Sequence, residues 1–241
     1  MQVLSPAMRR VTLQGAELAG FAVSHPASYM KLIFPEPGQT EPARPLPDGP
    51  RSANMRTYTP LAVRADALEV DVDFVLHGHG PAATWAAQAR AGQVLFLMGP
   101  GPGYPLDTQA AQHLLLGDAS ALPAFETILA CLPATARVRV LVEVVAAAEQ
   151  RTLQSLAQLD IAWLTSEPGH DAGHALEAAV RLAGRPAPDE YIYLACEASA
   201  VRRIRRLLME ELGVARERIV ARGYWKRGSV NHPDHDYGED A

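Results

Sequence analysis

The strongest constraint on this chain is a change of period near its middle. From about residue 110, short and almost wholly apolar runs (HLLLGD, VRVLVEVV, IAWL, YIYLACE and RIVARGYW) alternate with segments of helical spacing, ALPAFETILACLP, GHALEAAVRLAG and SAVRRIRRLLMEELG. A strand apolar on both faces must be covered on both, and intervening helices supply the cover, so this half predicts a parallel sheet in an α/β unit. In the last helical segment Val201, Ile204, Leu208 and Leu212 form one apolar stripe that ends at Gly213. Up to about residue 105, apolar runs are instead broken by turn residues every ten or so positions, which predicts an antiparallel barrel. Its strands are expected at 10–14, 30–34, 56–63, 68–76 and 93–98, with one helix over 83–92 stopped by Gly92. Over 68–77, Val70, Val72, Phe74 and Leu76 alternate with Asp71, Asp73, Val75 and His77, the pattern of a half-buried strand. The expected architecture is an antiparallel six-stranded barrel, residues 1–103, followed by a parallel-sheet domain, residues 104–241, with the boundary in GPGPGYPL at 99–106.

Composition narrows the function classes. With 241 residues, 48% apolar and 20% charged, the chain can bury a core and is unlike a disordered one. Two cysteines, Cys131 and Cys196, cannot build a disulfide framework or a four-ligand zinc site. The net charge of −5 argues against a nucleic-acid partner. No signal-peptide core opens the sequence and no run approaches a membrane span, so a cytoplasmic monomer is expected. The six prolines of PEPGQTEPARPLPDGP, 35–50, cannot join a sheet ladder and predict an exposed loop.

Four short motifs bear on chemistry. In RTYT, 56–59, the Arg fork suits a phosphate, the Tyr ring offers a stacking face, and the Thr hydroxyl can meet a ring nitrogen; a polar strand end reads equally well. HGHGPAATWA, 77–86, is a Gly-rich turn opening a helix, where backbone N–H groups become available to an anion, or an ordinary strand–turn–helix. His77 and His79 lack a third metal ligand nearby. GDASALPA, 117–124, joins the first strand of the second half to a helix, and ligands sit at such strand ends in open α/β sheets. There Ser120 also reads as a cap, and no G-x-S-x-G elbow accompanies it. GYWKRG, 223–228, sets Tyr224 and Trp225 beside Lys226 and Arg227. GPGPG, 99–103, reads as a linker rather than a dinucleotide fingerprint, and no P-loop lysine follows a glycine-rich turn.

Taken in order, MKLIFP, RTYTP, DVDFVLHGHGPAATWA, GDASALPAFETIL, RVLVEV and RGYWKRG resemble the siderophore-interacting proteins, FAD-binding ferric-siderophore reductases of the ferredoxin-NADP reductase superfamily. The resemblance runs from about Val11 to Gly228. It implies an FAD held mainly by the barrel: Arg56 on its phosphates, Tyr58 stacked on the isoalloxazine and Thr59 near N5. Asp73, Phe74, Val75, Leu76 and His77 would line the ring and ribityl chain, and Gly80, Ala82 and Thr84 would receive the pyrophosphate, with Trp85 close by. Asp118, Ser120 and Ala121 would border the nicotinamide side, and Tyr224 and Trp225 the other approach. NAD(P)H would supply hydride, and Fe(III) in an anionic siderophore would take electrons, seated by Lys226, Arg227, Lys31 and Arg222. No acid–base residue and no resident metal are implied. A ferredoxin-fed reductase and a binding module without turnover are the alternatives. The chain departs from the family in Ala195-Cys196-Glu197, where Ala-Gly-Glu is usual, and in Lys226, where Arg is common.

Elsewhere, His170 and His174 in HDAGH have zinc-pair spacing but lack the zincin Glu, so a loop or helix start is expected. Arg202, Arg203, Arg205 and Arg206 read as a solvated helix face, or as an attraction for an anionic ligand or redox partner. The tail SVNHPDHDYGEDA, with His232 and His235, has no expected role.

Overall fold

The computed structural model describes residues 1–36, 38–44, 52–78 and 80–229. The chain divides into two compact units, Met1–Pro105 and Leu106–Ala241. Residues 37 and 45–50 of the expected 35–50 loop, His79 and the tail with His232 and His235 lie outside the described residues.

The first unit contains β1 (Gln2–Ser5), β2 (Met8–Gln14), β3 (Met30–Ile33), β4 (Met55–Tyr58), β5 (Val63–Arg64), β6 (Glu69–Val75), α1 (Pro81–Gln88) and β7 (Phe96–Met98). These strands pair antiparallel in a four-stranded sheet, β1-β2-β6-β5, and a three-stranded sheet, β4-β3-β7. The expected single set of six strands is therefore corrected to seven, in two sheets, among the described residues. One cause is Pro60. It breaks the expected strand 56–63, so that β4 pairs with β3 while β5 pairs with β6 in the other sheet. The other cause is β1, whose polar QVLS carries no alternation but forms a hairpin with β2.

Val70, Val72 and Phe74 of β6 are completely buried, each contributing about 1.5–3 kcal/mol of apolar burial. The opposite, acidic face of this strand is also covered, contrary to expectation. Register places Thr12 opposite Asp71 and Arg10 opposite Asp73. Thr12 Oγ1 donates to Asp71 at 2.7 Å, Arg64 meets the same carboxylate through two nitrogens at 2.8 Å, and Arg10 clamps Asp73 at 2.6 and 2.9 Å. The Arg64 hydrogen bonds hold the Asp71 carboxyl below its ordinary pKa. Its stabilising contribution is thus present above the unfolded-state value and is lost as pH falls through the lower folded-state value. Acid titration of unfolding below about pH 4 is expected to be steeper for the parent than for Arg64→Met; equal slopes would remove this tie from the acid response.

The helix α1 starts two residues before the expected 83, because Pro81 at its first turn lacks only an N–H that would be orphaned anyway, and it ends four residues short of Gly92. Arg9 donates to the Ala86 and Ala87 carbonyls at its C-terminal end. The GPGPG stretch is not a loose linker. Gly101 N–H donates to Tyr29 O and Tyr104 N–H to Pro26 O, both at 2.7 Å, and a Cβ on Gly101 would fall 2.2 Å from the Tyr29 ring.

The second unit holds β8 (Gln112–Asp118), α2 (Leu122–Cys131), β9 (Arg137–Val144), β10 (Gln158–Thr165), α3 (His174–Ala183), β11 (Glu190–Glu197), α4 (Ala198–Arg206) and β12 (Ile219–Trp225). All five strands are parallel, in the order β10-β9-β8-β11-β12, as the apolar runs predict. Leu114, Leu116, Ile192, Leu194, Val201, Ile204 and Leu208 meet in the core between sheet and helices. The last helix is α-helical only to Arg206 and continues as a π-turn over Leu207–Glu211, which buries the adjacent Leu207 and Leu208 together.

Candidate functional site

In the first unit the candidate residues converge where β6 passes into α1. Along β6 one edge is held by β2 throughout, whereas the last bonds on the other edge are Leu61 N–H to Asp71 O and Asp71 N–H to Ala62 O. Among the described residues no strand continues along that edge past Asp71. The Asp73 and Phe74 side chains are buried on opposite faces of the strand, the first held by Arg10, so this stretch can offer a ligand its main chain and the half-exposed Val75 and Leu76. His77 is exposed. Gly78 and Gly80 adopt φ of +81° and +84°, a region open to glycine, and Gly80 caps α1 without a side-chain hydrogen bond. A recess of about 400 Å³ lies there, lined by Leu76, Gly78, Ala83, Thr84, Ala87 and Gln88. Ala82 is buried, leaving its backbone as its only polar group near the cap.

The RTYT strand supplies an aromatic wall. Tyr58 lies with its ring centroid 4.6 Å from Phe74, and Phe74 and Phe34 pack on Trp85 at 5.7 and 5.5 Å. Burial pushes the Tyr58 phenol far above its usual pKa, opposed by the Arg56 charge, so it remains a neutral ring. Arg56 lies on the same face, donating to the Ala53 and Met55 carbonyls at 2.8 Å, with burial lowering its pKa. Thr59 is buried just before Pro60. Lys31 is opposite Thr57 and so sits on the other face of the three-stranded sheet from Arg56 and Tyr58.

In the second unit the candidates gather at the carboxyl ends of the strands. Asp118 accepts from Ser120 N–H at 2.9 Å, from Ser120 Oγ at 2.5 Å, and from Trp225 Nε1 at 2.8 Å. Burial raises its pKa, against the pull of those hydrogen bonds. An irregularity of register opposite Cys196 and Glu197 places Trp225 beside Glu197. Tyr224 instead shares a hydrogen bond of 2.9 Å with Tyr193. Ala121 is completely buried and offers no side chain to a ligand. Cys196 is 1% exposed and packs into the core, so its bulk is turned away from the strand ends. Burial raises its thiol pKa well above the ordinary value, reinforced by Asp118, Glu197 and Glu143.

Glu143 is not among the residues the sequence singles out, and Glu197 is singled out only as part of Ala195-Cys196-Glu197. Glu143, beside Asp118 in the sheet, accepts from Gly173 N–H at 2.9 Å and Leu176 N–H at 3.0 Å. Glu197 accepts from Ser199 N–H at 2.7 Å, Ala200 N–H at 3.0 Å and Arg227 N–H at 3.3 Å. The available signal was an acid inside an otherwise apolar strand, since a glutamate is buried only when partnered.

In the second unit the three candidate cations do not stand together. Arg222 lies midway along β12 by a recess of about 680 Å³, with Arg205, Arg216 and Glu217, whereas Lys226 and Arg227 are exposed beyond the strand. Arg203 of the basic run pairs with Glu177 at 2.9 Å. The His170 and His174 rings stack at 4.2 Å, and no group of three metal-ligating residues occurs among the described residues. No helix among them is long and apolar enough to cross a membrane.

Comparison with known proteins matches both units. Residues 1–104 fit the model of a siderophore-interacting FAD-binding domain, and residues 110–228 that of a siderophore-interacting protein. The ferric vibriobactin reductase ViuB of Vibrio cholerae is 34% identical, over 97% of this chain and 89% of its own. An NADPH-dependent ferric-chelate reductase of Escherichia coli is 33% identical, over 92% and 88%. A siderophore utilization protein from T. fusca superposes with a TM-score of 0.86 at 33% identity, covering 97% of this chain and 92% of that one. The ferredoxin reductase of carbazole 1,9a-dioxygenase, 17% identical with a TM-score of 0.66 over 90% and 65%, shares the fold.

Proposed function

The chain belongs to the siderophore-interacting protein family, and on that premise we propose that it is an FAD-dependent ferric-siderophore reductase drawing electrons from NAD(P)H. The observation that carries this reading is the strand–turn–helix from Asp73 to Gln88, with an edge along which no described strand continues past Asp71, its cap without a side-chain hydrogen bond and the neutral Tyr58 ring alongside. Those features fit a flavin dinucleotide. So does the Trp85 indole N–H, a buried donor for which the chain provides no acceptor among the described residues.

An FAD held by these residues would supply the conversion of a nicotinamide's hydride into single electrons for Fe(III), which no side chain can perform. The protein's part is to bind and orient. Tyr58 provides the stacking face, with Thr59 at its end. The main chain of Asp73, Phe74 and Val75, with Leu76 and His77, lines the ring and ribityl chain. Arg56, the N–H at Ala82 after Gly80 and the exposed Thr84 hydroxyl receive the phosphates. In the α/β unit Asp118, Ser120 and Ala121, with Tyr224 and Trp225, border the nicotinamide. The flavin domain comprises 1–103 and the nucleotide domain 104–241, and the protein works as a cytoplasmic monomer. The substrate is an anionic ferric chelate steered by Lys226 and Arg227, with Lys31 and Arg222 as outlying cations. Its Fe(III), a hard acid, binds anionic oxygen far more tightly than Fe(II), so reduction releases the metal.

The test is anaerobic. Protein loaded with FAD is mixed with NADH, NADPH or, as the alternative donor, reduced ferredoxin, together with a ferric tris-catecholate and ferrozine. Formation of the Fe(II)–ferrozine colour, dependent on FAD, is expected. Flavin bleaching without that colour would reject the chelate reading, and a chain that takes up no FAD would reject all of it. Arg56→Ala is expected to weaken FAD retention by about 10–100-fold, the value of a charged hydrogen bond to phosphate. Unchanged retention would remove Arg56 from the phosphate site.

A further inference from the structure

The carboxyl end of the parallel sheet is where an α/β unit usually receives the phosphates of a nucleotide, on backbone N–H groups at helix N-termini. Here carboxylates of the chain itself already take such groups at the starts of α3 and α4 and in the turn that leads into α2. After β8, Asp118 takes the Ser120 N–H, the Leu122 N–H goes to Ala119 O, and Pro123 removes another donor from the first turn of α2. At the start of α3, Glu143 takes the N–H groups of Gly173 and Leu176. At the start of α4, Glu197 takes those of Ser199 and Ala200. Glu143 and Glu197 are buried, Asp118 and Glu143 are neighbours in the sheet, and all three act on the Cys196 thiol between them.

A pyrophosphate entering here would break hydrogen bonds held by internal anions and meet three like charges at short range. We infer that this unit holds a nicotinamide nucleotide without seating its pyrophosphate on a helix N-terminus, so that Asp118, Glu143 and Glu197 are specificity-determining residues that keep the grip on the donor weak and confined to its nicotinamide end. This rests on the reading that the unit receives NAD(P)H. The consequence is chemical: the adenosine and pyrophosphate portion adds little affinity, and a mononucleotide serves nearly as well as a dinucleotide.

The experiment compares binding of NADP⁺ and of nicotinamide mononucleotide to the full chain loaded with FAD, by calorimetry. A ratio of affinities below about tenfold is expected; NADP⁺ binding more than about tenfold tighter, or no saturable binding of either, overturns the inference. Asp118→Asn, which removes one of the charges and keeps an acceptor for Ser120, is expected to tighten NADP⁺ relative to the mononucleotide by about threefold or more. No gain in a protein whose circular dichroism and FAD content match the parent overturns the part assigned to Asp118. Failure of the donor reading is seen separately, as flavin that stays oxidised with both NADPH and the reduced mononucleotide, whereas the binding measurement alone decides the inference.

Discussion

Arg10→Ala is expected to lower the free energy of unfolding by about 3–5 kcal/mol, more than any surface ion pair would contribute. The Asp73 side chain is completely shielded from solvent, while that of Arg10 is 26% exposed and covers it. Both carboxylate oxygens are engaged, at 2.6 and 2.9 Å. Deleting the guanidinium removes both of these hydrogen bonds from a buried carboxylate. Since the main chain of Asp73 is assigned to the flavin, FAD retention should fall with stability. Urea unfolding of the apoprotein measures the first effect, and flavin fluorescence on dilution the second. The double replacement Arg10→Met with Asp73→Leu is expected to recover most of the stability, because apolar groups of similar volume need no counter-charge. A loss below about 1 kcal/mol for Arg10→Ala would show that the carboxylate is relieved in some other way.

Gly117→Ala is the second large effect, and it arises from space rather than charge. Gly117 is the penultimate residue of β8, the middle strand of the parallel sheet. An added Cβ would lie 2.5 Å from the Ala195 carbonyl oxygen, 2.7 Å from the Ala121 Cβ and 2.8 Å from the Phe125 ring. The first two neighbours are backbone and a methyl on a helical turn, so no rotamer change relieves the contact. Either β11 moves or the turn after Asp118 does. Overpacking of this kind costs about 1–3 kcal/mol. Displacing the Asp118–Ser120 turn should also slow flavin reduction by NADPH by about tenfold or more, given the sensitivity of hydride transfer to ångström errors in position. FAD retention, a property of the other unit, should be unaffected. Normal stability together with a normal reduction rate would mean that the sheet yields at this point.

The change of period carried most of the architecture, because strands covered on both faces and strands covered on one leave different patterns. The parallel strands and their helices lie within a few residues of the expected places for that reason. In the first unit the misreadings trace to interactions that no local pattern encodes. Thr59-Pro60 looked like the middle of a strand, but the missing N–H of Pro60 sends β4 and β5 to different sheets. Asp71 and Asp73 looked like a solvent face, yet Arg64, Thr12 and Arg10 cover them from positions 7, 59 and 63 residues away. At the site, Tyr58, Phe74 and Trp85 were named separately and the structure joins them in one aromatic cluster. Asp118 and Ser120 were legible from GDAS, but their link to Trp225 spans 107 positions. Glu143 stayed hidden because its partners are N–H groups 30 and 33 positions away, whereas Glu197 caps the helix that follows it directly, a local role masked by the apolar run it closes.

The aromatic cluster has a consequence for how this protein would behave when its cofactor is scarce. Tyr58, Phe74 and Trp85 are at once the packing of the first unit and the ground on which the flavin ring would rest. A ligand bound only by the folded form stabilises it by RT ln(1 + [L]/Kd), so the supply of FAD acts on the amount of folded protein as well as on the fraction that can turn over. Substitutions that loosen this cluster should therefore resemble a dietary deficiency, mild when flavin is plentiful and severe when it is not.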